Sequence, residues 1–212
     1  MNKNIIFDFD GVLVESVDIK TAAFRELFKH IPDNVEEITR FHIDNGGMSR
    51  FDKFRYIYAR ILKKLLPQYE FNKLCMDFSH LVVEKVVTVP SVKGAEEFLG
   101  KNINRYNMFV VSATPEEELK DIIRRRNLEK YFLGVYGSPA GKEKLLLKIL
   151  KENNYSRAET VFLGDSANDY HAARKANIRF AARILDKEAP SILLEADIKF
   201  KDLFEFEEYL KS

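Results

Sequence analysis

The chain has 212 residues with a formal net charge of +1, and 46% of it is hydrophobic against 32% charged, the balance of a folded globular protein with one substantial core or two unequal ones. No long basic tract is present, which argues against nucleic acid or an anionic membrane surface as a partner. Cys75 stands alone, so no intrachain disulfide forms and a reducing compartment suits the chain. With no secretory segment behind Met1 and no membrane-spanning apolar run, the expected location is the cytoplasm, as a monomer or weak homodimer.

The first predicted element is a strand at about 4–9, within "NIIFDFDGVLVES". Ile5, Ile6 and Phe7 are apolar at successive positions, as in a parallel strand covered on both faces, whereas Asp8 and Asp10 are poor strand residues. Residues two apart project to the same side of extended backbone. Both carboxylates therefore converge just past the strand end, before Gly11 bends the chain, and converging anions suggest a cation between them.

Helical patterns follow at about 17–30, 34–43, 50–66 and 70–87. In the third, Phe51, Phe54, Ile57 or Tyr58, Ile61 and Leu65 fall on one face, and Ser49 with Asp52 makes a capping-box-like start. Asn45-Gly46-Gly47 precedes it, with two glycines free to adopt unusual backbone angles.

From Val89-Pro90 onward, strands at about 106–112, 132–137, 160–164, 178–182 and, more weakly, 197–200 alternate with helices at about 115–126, 141–153 and 167–176. The segment "KDLFEFEEYLKS" reads as an amphipathic closing helix. Such alternation predicts an α/β fold: a doubly wound parallel sheet, a Rossmann-like core of residues 1–15 and 90–212, with an all-helical insert at 16–89.

Four places sit at strand ends or helix starts, where sites of open α/β sheets assemble. The first is Asp8 and Asp10. The second is "VVSATPEEEL", in which Thr114 as N-cap, Pro115 at the first helical position and Glu117 form a helix start, with Ser112 just before; a hydroxyl and free amides there suit a phosphate. The third is "GSPAGKEKLL", with Lys142, or Lys144 in its place, against the positive end of a helix dipole that a nearby anion relieves. The fourth is "VFLGDSANDY", with Asp165 and Asp169; Asp169 is either a ligand or the acidic member of a capping box begun by Ser166. Oxygen donors of this kind suit a hard cation such as Mg²⁺, which takes one or two carboxylates together with substrate phosphate.

"FDFDGVLVES", "VVSAT", "SPAGK" and "FLGDSANDY" resemble, in this order, the four motifs of the haloacid dehalogenase superfamily, in its phosphoglycolate phosphatase and β-phosphoglucomutase branch. The resemblance implies a helical cap domain at 16–89 and a Mg²⁺-dependent phosphatase, a hydrolase of phosphoric monoesters acting on a small phosphorylated substrate. It implies Asp8 as the nucleophile forming an aspartyl-phosphate, and Asp10 as acid and base with its carbonyl on the metal. Asp165 then supplies a metal carboxylate with Asp8, supported by Asp169, while Ser112, the Ala113 amide and Lys142 hold the phosphoryl group.

Dehalogenases resemble the chain in the first aspartate but lack an acid at the position of Asp10. In β-phosphoglucomutases a cap histidine follows the aspartate pair by ten residues, and here that position is Lys20; this favours hydrolysis over the alternative, a sugar phosphomutase. A non-catalytic binding module is disfavoured because Asp8, Asp10, Lys142 and Asp165 are all present. Polar candidates for substrate selection in the cap are Lys20, His42, Asn45, Arg50 and Lys53. Arg50, at a first helical position where a cation gains little, is expected to point toward an anionic substrate.

Overall fold

A computed structural model describes residues 3–185 and 190–211. The strands are β1 (Asn4–Phe7), β2 (Asn107–Pro115), β3 (Gly134–Ser138), β4 (Thr160–Gly164), β5 (Arg179–Arg183) and β6 (Ile198–Phe200). They form one six-stranded sheet in the order β3-β2-β1-β4-β5-β6, and every pairing is parallel. The order reverses at β1, whose neighbours are β2 and β4, so the crevice beyond their carboxyl ends is the place where a site forms in such sheets.

The pleat sorts the side chains. Ile5, Phe7, Met108, Val110, Val161 and Leu163 pack into one apolar cluster, while Ile6, Phe109, Val111 and Phe162 pack into a second on the other face. Helices α7 (Lys142–Glu152) and α8 (Ala167–Ala176) contribute Leu146, Ile149, Ala173 and Ala176 to the second cluster. The first cluster is covered by α5 (Ala95–Asn102), α6 (Glu116–Arg125) and α9 (Leu203–Lys211), through Phe98, Leu99, Leu119, Ile123 and Phe206.

Between β1 and α5 lie α1 (Val17–Phe28), α2 (Val35–Asp44), α3 (Arg50–Tyr56) and α4 (Gln68–Thr88). Their inward aromatics, Phe24, Phe28, Phe54 and Phe78, meet one another at ring separations of 4.9 to 6.3 Å and belong to the same cluster as the first sheet face.

Three expectations change in detail. The single helix at 50–66 is interrupted: α3 passes at Ile57–Ile61 into a π-turn, where the Leu62 amide donates to the Ile57 carbonyl at 2.8 Å, five residues back. The helix ends there: Lys63 takes φ 51° and residues 63–67 have no regular structure, so Leu65, expected on the packed face, is 92% exposed. Strand β2 runs through a register shift to Pro115, so the N-cap of α6 is Pro115 rather than Thr114. Helix α5 carries no predicted counterpart, because eight residues ("AEEFLGKN") hold too few turns to display a period.

Candidate active site

The parallel register puts the four sequence motifs side by side. Asp8 follows β1 and still donates its amide to the Leu163 carbonyl at 2.8 Å, and Asp165 follows β4 directly. Ser112 lies on β2, Lys142 opens α7, and Asp169 lies in the first turn of α8. One oxygen from each of Asp8, Asp165 and Asp169 lies within 4.8 Å of the others.

The Lys142 ammonium binds this group together, donating to Asp8 Oδ2 at 2.6 Å and to Asp169 Oδ1. Asp8 Oδ1 accepts the Phe9 amide at 2.7 Å. Asp169 fulfils its capping-box reading: its Oδ2 accepts from the Ser166 amide and hydroxyl, and its own amide donates to Ser166 Oγ. With Oδ1 taken by Lys142, Asp169 reaches a cation only by giving up a bond or through a water. Lys144 takes no part in these bonds, and Lys142 is the lysine of the site.

Asp165 is different, since no described residue donates a hydrogen bond to it. It presses on the turn at Gly11, whose φ is +74°; a Cβ there would lie 1.9 Å from Asp165 Oδ2, so only glycine fits.

The electrostatics favour an added cation. Burial drives the Asp8 carboxyl well above its ordinary value, and the neighbouring Asp169, Asp165 and Asp10 add to this against the pull of Lys142. Burial likewise raises Asp165 to about 7, helped by Asp169 and Asp10 and opposed by Lys142 and Arg183. Lys142 itself pays desolvation, but Asp169 and Asp8 outweigh it and hold the ammonium charged. Three carboxylates face one ammonium. An oxygen-rich site with surplus negative charge and one carboxylate lacking a protein donor fits Mg²⁺.

Asp10 stands apart from this group. Its Oδ1 accepts from Ser16 Oγ at 2.6 Å, and its Oδ2 accepts from Lys20 Nζ, Thr114 Oγ1 at 3.0 Å and Ser112 Oγ at 3.4 Å. Burial opposes its ionisation, but the charge and hydrogen bonds of Lys20, with Ser16 and Thr114, prevail and hold the carboxyl below its ordinary value. Thr114, read from sequence as a helix cap, is thus a ligand of Asp10, and it also accepts from Lys20 at 2.8 Å. Its place two residues after Ser112, on the same side of an extended strand, was the available signal. Ser16 offered none, because the turn at residues 10–14 sets its position.

The helical insert closes over these groups. Gly47 has φ +73°, and a Cβ there would lie 2.4 Å from Ser166 Oγ and 3.5 Å from Lys142 Nζ, so the 45–48 loop seats only with glycine. Asn168 Nδ2 donates to the Gly46 carbonyl at 2.6 Å, a contact no motif announced. Asn45 does not enter the cavity wall; its amide donates to the Phe41 carbonyl at 2.9 Å and ends α2.

Arg50 lines the cavity but is already engaged. It forms a two-pronged ion pair with Glu118 on α6, donates to Ser79 Oγ at 2.7 Å and stacks over Phe78 with its guanidinium carbon 4.5 Å from the ring centre. It ties the insert to the sheet layer, so the expectation that it points freely at an anion gives way to a structural one. The cavity left between insert and strand ends is about 100 Å³, walled by Asp8, Asp10, Ser112, Ala113 and Asp165 below and by Lys20, Phe24, His42, Lys53 and Phe78 above.

Comparison with known proteins agrees with this geometry. Residues 5–183 match the family model described as haloacid dehalogenase-like hydrolase. The chain belongs to this family. Among curated relatives of this hydrolase, phosphoglycolate phosphatase 1 of Pseudomonas aeruginosa is 26% identical, over 90% of this chain and 75% of the relative. Phosphoserine phosphatase of Methanocaldococcus jannaschii is 28% identical, over 99% of this chain and 98% of its own length. The fold of a hydrolase from Pseudomonas syringae superposes with a TM-score of 0.82 at 17% identity, covering 99% of this chain and 98% of that one. No helix among the described residues is long and apolar enough to cross a membrane.

Proposed function

We propose that this hydrolase is a Mg²⁺-dependent phosphomonoesterase that cleaves a small phosphorylated metabolite through an aspartyl-phosphate on Asp8. The observation that carries the reading is the pairing of two unlike carboxylates two residues apart. Asp8 sits among the anions with Lys142, and Asp10 is held separately by Lys20, Ser16 and Thr114. On this reading the first attacks phosphorus and the second handles a proton. Relatives named for phosphoglycolate and phosphoserine support a small monoester substrate.

Asp8 and Asp165, with the Asp10 carbonyl and Asp169 in support, would hold the ion. When bound, Mg²⁺ offsets the charge of the carboxylates and of the phosphoryl oxygens. Ser112, the Ala113 amide and Lys142 hold the transferring group. Asp10 rests as a carboxylate, and an arriving phosphate raises its proton affinity because like charges close together disfavour ionisation. It takes up a proton from solvent, gives it to the leaving oxygen and afterwards takes one from the attacking water. The segment 16–89 acts as the cap that closes over these groups.

The test is phosphate release from a panel of phosphorylated metabolites with Mg²⁺ and with chelator, run in ¹⁸O-labelled water. Release that requires the ion and places solvent ¹⁸O in the phosphate is expected. Interconversion of sugar 1- and 6-phosphates faster than release would make the protein a mutase. No turnover of any monoester would leave a binding module.

A further inference from the structure

Strand β5 ends in a buried cation, Arg183, which is 6% exposed and does not line the cavity. Strands β4 and β5 pair in register up to Gly164 and Ala182, so Asp165 and Arg183 are the next residues on adjacent strands. Asp165 has no donor among the described residues, whereas Arg183 is heavily engaged. Its Nε donates to the Lys201 carbonyl and its Nη1 to the Gly11 carbonyl, each at 2.9 Å. Nη1 and Nη2 together hold the Glu15 carboxylate, at 3.0 and 2.7 Å.

An ion pair serving stability alone accounts poorly for this arrangement. The Glu15 side chain is 39% exposed, and a pair open to solvent on one side contributes little, whereas burying a guanidinium is costly. The planar fork of an arginine suits a different task, which is to fix several acceptors relative to one another. Here two of those acceptors, the Gly11 carbonyl and the Glu15 carboxylate, belong to the turn that leaves β1.

That turn touches both halves of the site. Gly11 follows Asp10, and Ser16, next to Glu15, donates its hydroxyl to Asp10 Oδ1 at 2.6 Å. The two residues that Arg183 grips therefore adjoin the two ends of the Asp10–Ser16 bond. On its other side the turn backs onto Asp165, where a Cβ at Gly11 would lie 1.9 Å from Oδ2. A carboxylate without a donor takes its position from what packs against it, and for Asp165 that wall is Gly11.

Resting on the phosphatase reading above, we propose that Arg183 is a positioning residue for the reaction. By holding Gly11 and Glu15 at once, it sets how deeply the turn seats against Asp165, and with that the spacing between the carboxylate that handles the proton and the one that holds Mg²⁺. Loss of the grip lets the turn shift. Asp10 then moves relative to the reacting phosphate, and the place of Asp165 changes with it. The cavity walls lie elsewhere, so binding of the substrate is spared.

The experiment compares wild type with Arg183→Met, Arg183→Lys and Glu15→Ala, using p-nitrophenyl phosphate at saturating Mg²⁺ and, separately, calorimetric titration of Mg²⁺ into substrate-free protein. Small displacements of reacting groups are costly, so Arg183→Met is expected to lower kcat by roughly 10- to 100-fold with KM within about twofold of wild type. Its Mg²⁺ dissociation constant is expected to rise about 10-fold, as when groups behind a metal's ligands are altered. Arg183→Lys keeps the charge but not the fork, and is expected to recover little of either quantity. Glu15→Ala, at a partly exposed position, shows a smaller loss in both and decides the matter should Arg183→Met not fold. Glu118→Gln serves as the control for loosening of the fold and leaves the Mg²⁺ titration unchanged. Wild-type kcat or wild-type Mg²⁺ affinity in the variants overturns the proposal, as does an equal Mg²⁺ shift in Glu118→Gln. If wild type releases no phosphate from p-nitrophenyl phosphate, the phosphatase reading falls, and the Mg²⁺ titration, which needs no substrate, alone decides whether Arg183 sets the ion site.

Discussion

Glu118→Gln removes the charge that compensates Arg50 while keeping the side chain's shape. The pair is well buried, with side-chain exposures of 4% for Arg50 and 12% for Glu118, and it joins α3 of the insert to α6 of the sheet layer. Breaking such a pair from one side typically costs about 3 to 5 kcal/mol, since the remaining ion stays buried without a partner. Here Arg50 keeps the Ser79 hydroxyl and the face of Phe78, and the glutamine carbonyl still accepts one bond, so the lower end applies, about 3 kcal/mol. Unfolding entropy for a chain of this length is about 0.4 kcal/mol per kelvin, which makes the expected drop in Tm about 7 °C. Calorimetry on wild type, Glu118→Gln, Arg50→Met and the Arg50→Met/Glu118→Leu double variant measures it. The double variant is expected to recover most of the loss, because neither charge is then stranded. A Glu118→Gln Tm within 1 °C or so of wild type, or a double variant showing the full sum of the single losses, would falsify the view that this pair secures the insert to the sheet.

Asp8→Asn is expected to abolish phosphate release with the far-UV dichroism spectrum unchanged, since an amide is nearly isosteric but does not attack phosphorus; near wild-type release would end the covalent mechanism. Gly47→Ala places a methyl against Ser166 Oγ at a positive φ, so it is expected to cost about 1 to 2 kcal/mol and to lower kcat/KM through displaced Ser166, the capping partner of Asp169; unchanged kinetics would show that the 45–48 loop does not seat on the site. Burial, with Lys20 and Lys142 and against Asp10, lowers the Lys53 pKa from 10.5 to about 7. Between these values the unfolded chain holds a proton that the folded chain has released, so the penalty is full below about 7 and is relieved as pH rises toward 10.5. Lys53→Met is therefore expected to raise Tm at pH 6 to 7 by an amount that shrinks by pH 10, and a pH-independent difference would show that the lysine is not destabilising.

The strands, their parallel arrangement and the four motifs at their ends were legible in the sequence because each is a local signal. Buried strands are apolar at every position, helices repeat every 3.6 residues, and Asp8, Lys142 and Asp165 stand next to element ends that such patterns locate. The Ser49 cap and the Ser166 capping box were legible for the same reason, being bonds between residues three apart. Tertiary structure alone decided which partners the charged side chains take. Arg50 was read as free for substrate because its helix position disfavours a cation, and no local pattern points to Glu118, 68 residues away, or to Ser79. Thr114 was read as a cap because the register shift that carries β2 through Pro115 depends on its pairing with β3. Lys53 was one polar residue among five until packing made it, among the described residues, the buried cation with no carboxylate within 4.0 Å. Pairing of charges across the chain depends on distance in space, which hydrophobic periodicity and capping rules do not encode; the sequence by itself determined where the chemistry is held, and the fold decided which of its charges remain free to meet a ligand.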